Sequence, residues 1–292
     1  MTRAVTTPHR RRTAAAALLG AVLAVLALVP SALADATQSS NWAGYAAHSP
    51  RLHFTRVVGT WRQPSAVCQP GTPTYSSQWV GLGGYAVNSS ALEQIGSELD
   101  CSASGKLVST VWYELVPAPS RNIRMTVSPN DQLTAAVTVT GHVVRLQLSD
   151  LTRRRSFSRI VKVRQVDLSS ADWIVEAPSE CAGAGSCQQL ALANFGTTAM
   201  TRASTQLSTG HRAGISDPLW STTAITLSSS AGHFVGSGSG ATASASAAPS
   251  SLVFGGSAFA VTYAAAAGST PVSSGAAVLR VHGATLTRPR RR

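Results

Sequence analysis

Short segments in which apolar and polar residues alternate constrain the fold of this chain most. In residues 135–148 (AAVTVTGHVVRLQL) the alternation continues on both sides of a central turn, which predicts a half-buried hairpin. No segment keeps a 3.6-residue apolar period with helix caps at both ends. Other short segments, bounded by Gly, Pro, Asn, Asp and Ser, also predict strands: 78–84, 109–117, 122–129, 159–168, 222–229 and 259–263. We therefore expect an all-β protein, an antiparallel sandwich or barrel.

The first 34 residues have the composition of a secretory signal peptide. A basic stretch with four arginines precedes the apolar run AAAALLGAVLAVLALVP, and the small residues of Ala32–Ala34 are typical of a cleavage site. We therefore expect cleavage after Ala34 and a secreted, extracellular protein. An uncleaved membrane anchor is the alternative interpretation.

The rest of the chain predicts one domain, residues 35–265, followed by a tail. A Gly/Ser/Ala-rich stretch at 236–251 cannot pack a core, so we expect it to be a flexible loop. Because a strand pattern returns at 259–263, this loop is expected to be an insertion within the domain. The tail, residues 266–292, is rich in Ala, Gly and Ser, ends in arginines and is expected to be poorly ordered.

The net charge of +12 comes from 24 Lys and Arg against 12 Asp and Glu. Four of the arginines lie in the leader and four at 288–292, so the body carries only about +4, too little for a nucleic-acid footprint. We expect no nucleic-acid partner, no membrane contact after signal cleavage, and a monomer. One internal basic cluster, RRRSFSR at 153–159, lacks a binding motif or interleaved stacking aromatics and is interpreted as a turn and a strand end.

Four cysteines in a secreted chain favour two disulfide bonds. Three pairings are possible. The glycines between Cys181 and Cys187 make a short closed loop easy to form, which leaves Cys68 with Cys101. A metal site is the alternative, but the sequence has no CxxC or HxxxH motif, and no metal or other cofactor is expected.

Five of the six tryptophans fall in a series of short motifs. The series is SSNWAGY (39–45), GTWRQP (59–64), QWVGLGG (78–84), LEQIGSELDC (92–101), VWYELVP (111–117) and ADWIVEAPSEC (171–181). Large aromatic side chains commonly fill sandwich cores, and this explains any one motif taken singly.

Taken together, in this order and near this spacing, the motifs resemble those of the glutamic peptidases (eqolisins, peptidase family G1), in a bacterial-type form. The resemblance runs from Asn41 to about Leu227. It implies a secreted acid endopeptidase built as a sandwich of two large antiparallel sheets, of the jelly-roll or concanavalin-like class. It also implies a cysteine-closed loop just after the catalytic glutamate, here at 181–187.

The resemblance assigns roles to individual residues. The catalytic glutamate, which ends its strand, falls on Glu176 in DWIVE, and the catalytic glutamine falls on Gln94 in LEQIG. The residues matched to substrate binding or support of the site are Trp42, Trp79, Trp112 and Glu114.

The sequence departs from the fungal members of this family in three ways. Gly83 and Thr110 stand where fungal members have aspartates, and no long propeptide separates the leader from SSNWAGY. The resemblance therefore leaves the pH range and the subsite contacts open, as well as the way in which activity is restrained.

The chemistry of the two matched residues suits peptide hydrolysis. A glutamate with an ordinary pKa of about 4.3 can take a proton from water and return it to the leaving amine, best in acid. A glutamine amide donates a hydrogen bond at any pH and can stabilise the oxyanion of the tetrahedral intermediate. We therefore expect hydrolysis of polypeptides without a metal or a covalent intermediate.

Two other functions fit parts of the same sequence. A catalytically inactive sandwich could bind carbohydrate or peptide through its tryptophans. A retaining glycosidase needs two carboxyl groups about 5–5.5 Å apart, which Glu114 and Glu176 could provide only from neighbouring strands.

Overall fold

The structure is a computed structural model, which describes residues 1–2, 35–181, 187–228, 245–265 and 280–281; for Cys181, Arg280 and Val281 it describes the backbone alone. The chain divides into two compact units, Met1–Ser31 and Ala32–Arg292, and all that follows concerns the second. The predicted signal peptide thus lies outside the described residues, apart from the first two. No helix in the described ranges has the length and apolar character needed to cross a membrane.

The described residues form strands and no helices. The strands are β1 (Asp35–Ser39), β2 (Trp42–His48), β3 (Phe54–Arg62), β4 (Thr74–Gly83), β5 (Leu92–Cys101), β6 (Leu107–Val116), β7 (Arg121–Ile123), β8 (Gln132–Thr140), β9 (Val143–Asp150), β10 (Arg155–Lys162), β11 (Ser170–Glu176), β12 (Ser179–Cys181), β13 (Cys187–Gln189), β14 (Thr197–Leu207), β15 (Arg212–Ala213), β16 (Ser221–Leu227), β17 (Ala245–Pro249), β18 (Phe259–Ala265) and β19 (Arg280–Val281).

The predicted hairpin is confirmed as β8 and β9. Its register pairs Val139 with Val144 and Val137 with Leu146, all of them buried, and Gly141 turns the chain with a φ of 58°. The left-handed conformation of Gly141 suits a residue without a Cβ atom. Alternation of apolar and polar residues therefore predicted both the strands and the side that faces the core.

Hydrogen bonds connect the main strands in one path, which folds into two packed layers. The order is β10-β9-β8-β3-β14-β18-β17-β16-β2-β11-β4-β5-β6-β7. Strands β3, β8 and β9 of one layer lie against β4, β5 and β11 of the other. Between the described strands of this path the pairing is antiparallel, and β1 adds to β16 in parallel. The predicted all-β antiparallel sandwich is confirmed.

Strand β14 belongs to both layers. Its first residues, from Thr197 to Met200, pair with β18, whereas Thr201 to Leu207 pair with β3. The register shifts between Thr201 and Ser204, and Arg202 in that interval has a φ of 51°. Bulges of this kind let a strand bend from one sheet into the other. The two predicted sheets are therefore hydrogen-bonded to each other through this strand.

Three predicted segments differ in detail from the structure. The strand expected at 159–168 is β10, which starts earlier, at Arg155, and ends at Lys162. The expected flexible loop at 236–251 includes β17, in which Ala245 and Ala247 are buried, because alanine is small enough to pack where the layer is tight. Its residues 236–244 lie outside the described residues. The strand expected at 122–129 is reduced to β7, since the chain turns away after Ile123.

The disulfide predictions concern the ends of β5 and β12. Cys68 and Cys101 form a disulfide bond with a Cα–Cα distance of 5.1 Å, which confirms that pair. Cys187 is disulfide-bonded, and its backbone is the register partner of Cys181. The side chain of Cys181 lies outside the described residues, so the second bond stays a prediction. In the tail, residues 280–281 pair with β12, and the other residues of 266–292 lie outside the described part.

Candidate active site

The layer that contains β4, β5 and β11 has one face that is turned away from the main core. This face carries polar and aromatic side chains in place of a purely apolar core. Because side chains alternate along a strand, Trp173 and Val175 of β11 join the main core, whereas Asp172, Ile174 and Glu176 face the other way. This second face, called the site face below, holds a smaller apolar cluster. Its members are Trp42, Ala46, Trp79, Leu92, Trp112, Val116, Ile174 and Ile225.

Glu176 ends β11 between two strands that are distant in sequence. Its register partners are Trp42 of β2 and Ser77 of β4, and its side chain is fully buried. Asn41 Nδ2 donates to Glu176 Oε1 at 3.0 Å, and Trp79 Nε1 donates to Oε2 at 2.7 Å. Each oxygen thus accepts a hydrogen bond from a different strand or strand end, which fixes the plane of the carboxyl group.

Asn41 is itself held in place. The hydroxyl of Ser39 donates to Asn41 Oδ1 at 3.0 Å, which leaves the amide nitrogen directed at Glu176. Ser39 also accepts a hydrogen bond from the backbone N–H of Trp42. The SSNW sequence is therefore a compact turn that orients a donor for the carboxyl group.

Gln94 and Glu114 form a second hydrogen-bonded pair on the site face. They are opposite each other in the register of β5 and β6, and Gln94 Nε2 donates to Glu114 Oε2 at 2.9 Å. Both side chains are fully buried. The bond fixes the direction in which the glutamine amide points. Glu114 thus acts on the site through Gln94.

Trp79 lies between these two groups. The backbone of Glu176 is opposite Ser77 and that of Gln94 is opposite Gly81, so their backbone positions are four residues apart along β4, a spacing of about 13 Å in extended strand from which the two side chains extend. The Trp79 ring covers this interval: its Nε1 reaches Glu176, and its Cζ3 would lie 3.0 Å from a Cβ atom on Gly81. The absence of a side chain at Gly81 makes room for the ring.

The three predicted tryptophans line one cluster. Trp42 and Trp79 make an edge-to-face contact with ring centroids 5.0 Å apart, and Trp112 belongs to the same buried group. Aromatic pairs of this geometry add to the free energy gained by burial. The rings hold the polar groups of the site face in a rigid apolar frame.

Asp172 is a further acid of this face, to which the sequence analysis gave no role. It is fully buried, and Ser170 Oγ donates to its Oδ2 at 3.0 Å, whereas Oδ1 has no hydrogen-bond partner among the described residues. Burial raises the pKa of this carboxyl well above its ordinary value; the Ser170 hydrogen bond lowers it and the charge of Asp167 raises it. Asp172 is opposite Gly81, and so lies in one row with Gln94.

Gly83, where fungal members have an aspartate, ends β4 in the left-handed region with a φ of 80°. A Cβ atom there would lie 2.6 Å from Asp167 Cβ and 2.7 Å from the Asp167 carbonyl oxygen. Asp167 instead accepts hydrogen bonds from the N–H of Gly84 and the hydroxyl of Ser89. An acid is thus present beside this turn, but it comes from the segment before β11.

All six residues predicted for the site lie on the site face. Glu176 contacts Trp79, Gln94 contacts Glu114, and the three tryptophans share one cluster. Glu114 and Glu176 are on strands separated by β4 and β5, so they do not meet the neighbouring-strand condition for a retaining glycosidase.

The sequence analysis gave no role to Asn41, Glu98 or Asp172. Glu98 is buried and opposite Ser77, in one row with Glu176. Period-two alternation within DWIVE and within LEQIGSELDC could have indicated Asp172 and Glu98, because they share a face with the matched residues. No such signal exists for Asn41. Among the described residues, no group of three or more His, Cys, Asp or Glu side chains is placed to hold a metal ion.

Comparison with known proteins agrees with this architecture. Residues 40–239 match the model of the peptidase A4 family. A crystal structure of scytalido-glutamic peptidase with a transition-state analogue inhibitor superposes with a TM-score of 0.59 at 21% identity, covering 77% of this chain and 98% of that one. SCP-B, an eqolisin in complex with the tripeptide Ala-Ile-His, gives a TM-score of 0.56 at 19% identity, with the same coverage. No curated protein matches the chain.

The structural likeness defines first a fold, the one that glutamic peptidases have. Since the family model matches more than half of the sequence, the chain belongs to the peptidase A4 family. The predicted membership of the glutamic peptidases is confirmed, and the protein is a glutamic-type endopeptidase that acts on polypeptides.

Proposed function

We propose that this protein is a secreted endopeptidase, most active in acid, in which Glu176 activates water and Gln94 stabilises the tetrahedral intermediate. The observation that carries the proposal is the carboxyl group of Glu176, buried and oriented by Asn41 and Trp79. Buried polar groups are hydrogen-bonded in any fold, so the position of Glu176 in the DWIVE motif supports the assignment as well.

The first step is attack of water on the scissile carbonyl carbon. The Glu176 carboxylate takes a proton from the water as its oxygen bonds to that carbon. The carbonyl oxygen becomes an oxyanion, and the Gln94 amide donates a hydrogen bond to it. The amide nitrogen carries two hydrogens; Glu114 accepts one, which determines the direction of the other.

The second step breaks the C–N bond. Glu176, now a carboxylic acid, gives its proton to the leaving nitrogen, and the products are a free amine and a free carboxylic acid. Glu176 returns to its carboxylate form, held again by Asn41 and Trp79. Activity should therefore rise in acid, because one carboxyl group that acts first as base and then as acid works best where the pH is close to its own pKa.

Secretion is supported by the leader sequence at 1–34 and by the Cys68–Cys101 disulfide bond, a kind of bond that persists in oxidising compartments. The first described strand, β1, starts at Asp35, directly after the predicted cleavage point. We expect the mature protein to be an extracellular monomer without nucleic-acid or membrane partners.

The test is Glu176→Gln, which keeps the shape and polarity of the side chain but removes the base and acid. Turnover of an unfolded protein substrate, measured as new amino termini at acid pH, should be abolished while the thermal melt stays unchanged. A variant that retains more than a few per cent of wild-type activity with an unchanged melt would exclude Glu176 as the base. Wild-type protein that binds peptides without cleaving them would favour the inactive binding sandwich.

A further inference from the structure

The two ends of the strand path meet at a basic groove outside the site face. Strand β7 ends the path on one side and β10 on the other, and residues of both line a cavity of about 880 Å³. The cavity, called the arginine groove below, is lined chiefly by Tyr113, Arg121, Arg124, Arg155, Phe157 and Arg159. Its volume is within the range of about 300–1,000 Å³ that is typical of ligand sites.

Every charged side chain among the described residues that line the groove is positive. No acidic side chain is among the described residues that line it. All four arginines are exposed, and in the described part of the chain none of their guanidinium groups forms a salt bridge. Guanidinium groups match carboxylates with paired hydrogen bonds, so the groove presents unneutralised donors for an anionic ligand.

Two aromatic rings from distant parts of the sequence form an apolar part of the groove. Tyr113 of β6 and Phe157 of β10 are stacked with centroids 5.9 Å apart, and the Arg159 guanidinium carbon lies 6.0 Å from the Tyr113 centroid. Tyr113 is nearly buried, whereas Phe157 is partly exposed. The RRRSFSR cluster is therefore more than a turn and a strand end, because the fold supplies it with an aromatic partner.

The strands on both sides of the groove, β7 and β10, lie at the two ends of the strand path. Among the described residues β7 pairs with β6 alone and β10 with β9 alone, so each has a free strand edge. Charged side chains on edge strands also prevent edge-to-edge aggregation, which explains exposed arginines but not the stacked rings between them. An extended peptide can add to a free edge through its own backbone hydrogen bonds.

We infer that the arginine groove binds an extended acidic segment of a polypeptide. Backbone pairing with an edge strand holds the segment extended, and its carboxylates face the four arginines. The groove lies on the opposite side of β6 from Glu114, since Tyr113 and Glu114 alternate along that strand. The groove can therefore hold a protein at a distance from the site of cleavage, and this use of it rests on the proposed function.

Binding is tested in the Glu176→Gln protein, so that no peptide is cleaved. The probe is a fluorescein-labelled 12-residue peptide of alternating Glu and Val, followed by fluorescence anisotropy at pH 6, where glutamate is ionised. We expect saturable binding that weakens with salt, and at least about tenfold weaker binding of the same peptide with Gln in place of Glu.

Two double variants, each of which removes two positive charges, test whether binding depends on the groove. Adding Arg155→Gln and Arg159→Gln should weaken binding of the Glu peptide at least about tenfold, whereas adding Arg51→Gln and Lys106→Gln, exposed positions outside the groove, should have little effect. Equal losses in both double variants would overturn the inference. Binding of a sulfated oligosaccharide without binding of the Glu peptide would also overturn it, because the occupant would then be a different polyanion.

A kinetic readout links the groove to catalysis. In the active protein, Arg155→Gln with Arg159→Gln should raise KM for a substrate with an acidic segment and leave kcat unchanged. If the Glu peptide does not bind in the anisotropy experiment, the inference about the groove is wrong and the proposed function is unaffected. If the wild-type protein cleaves no substrate although the Glu peptide binds, the proposed function is wrong and binding by the groove stands.

Discussion

The carboxyl group of Glu176 and the amide of Gln94 are oriented by separate sets of partners. Glu176 is held by Asn41 and Trp79, and Gln94 is held by Glu114. The pairs are four positions apart along β4, with the Trp79 ring between them. The two groups should therefore contribute to catalysis by different means, one in proton transfer and the other in charge stabilisation.

Replacement of the glutamine should reveal this division. Gln94→Ala removes only the proposed oxyanion donor, so kcat should fall about 10²- to 10³-fold, by the usual effect of one such donor, while KM changes little. The measurement is steady-state kinetics at the pH of highest wild-type activity, with thermal melts of each variant to separate lost chemistry from unfolding.

Glu114→Gln is the control for this experiment. It keeps a hydrogen-bonding partner for Gln94, and it should cost less activity than Gln94→Ala. If Gln94→Ala is as inactive as Glu176→Gln, the two residues act as a unit on the same water, because such residues are not additive. A kcat within about threefold of wild type would exclude the oxyanion role.

At the scale of the strand, the end of β4 has a strict requirement for glycine. Gly83→Ala should destabilise the protein by about 1–3 kcal/mol more than Gly71→Ala, because overpacking adds to the backbone strain there. Gly71 has nearly the same φ, 78° against 80°, but a Cβ atom would meet nothing within 4 Å. Denaturant titration of both variants measures the difference. Equal losses would show that Asp167 can move away at little cost.

The elements were predictable from local patterns, and much of the site from the resemblance to the glutamic peptidases. Alternation gave the β8–β9 hairpin, and the DWIVE and LEQIG motifs gave residues that lie on one face. The position of β11 between β2 and β4 was not predictable, because pairing between distant segments leaves no local pattern. The contact of Asn41 with Glu176 and the stacking of Tyr113 on Phe157 depend on such pairing, and were missed for that reason.

Over the whole molecule, buried acids connect stability to pH. Burial raises the pKa of Glu93 well above its ordinary value, with the charge of Asp167 adding to the rise and a backbone hydrogen bond lowering it. Asp172 is raised in the same direction, also chiefly by burial. Between their unfolded pKa values, near 4, and their raised folded values, the folded state keeps protons that the unfolded state loses.

The contribution of these two groups to stability is therefore fully present below about pH 4 and is lost as the pH rises through that window. Asp172→Asn removes one of these two titrating groups. The free energy of unfolding of the variant, relative to that of wild type, should therefore be higher at pH 7 than at pH 3.5. Urea unfolding at both pH values measures this, and Glu93→Gln should behave in the same way. A difference from wild type that is the same at both pH values would contradict the prediction.

We expect the insertion of β11 between β2 and β4 to limit when the peptidase can first become active. The hairpins β4–β5–β6 and β8–β9–β10 join neighbours in the chain, whereas Asn41 and Glu176 are 135 positions apart. Contacts between distant segments form late, since closing long loops costs entropy before the contact repays it. A chain that is still folding should thus contain all the residues of the site before it has their arrangement. We therefore expect it not to cleave neighbouring unfolded chains until β11 has paired with β2 and β4.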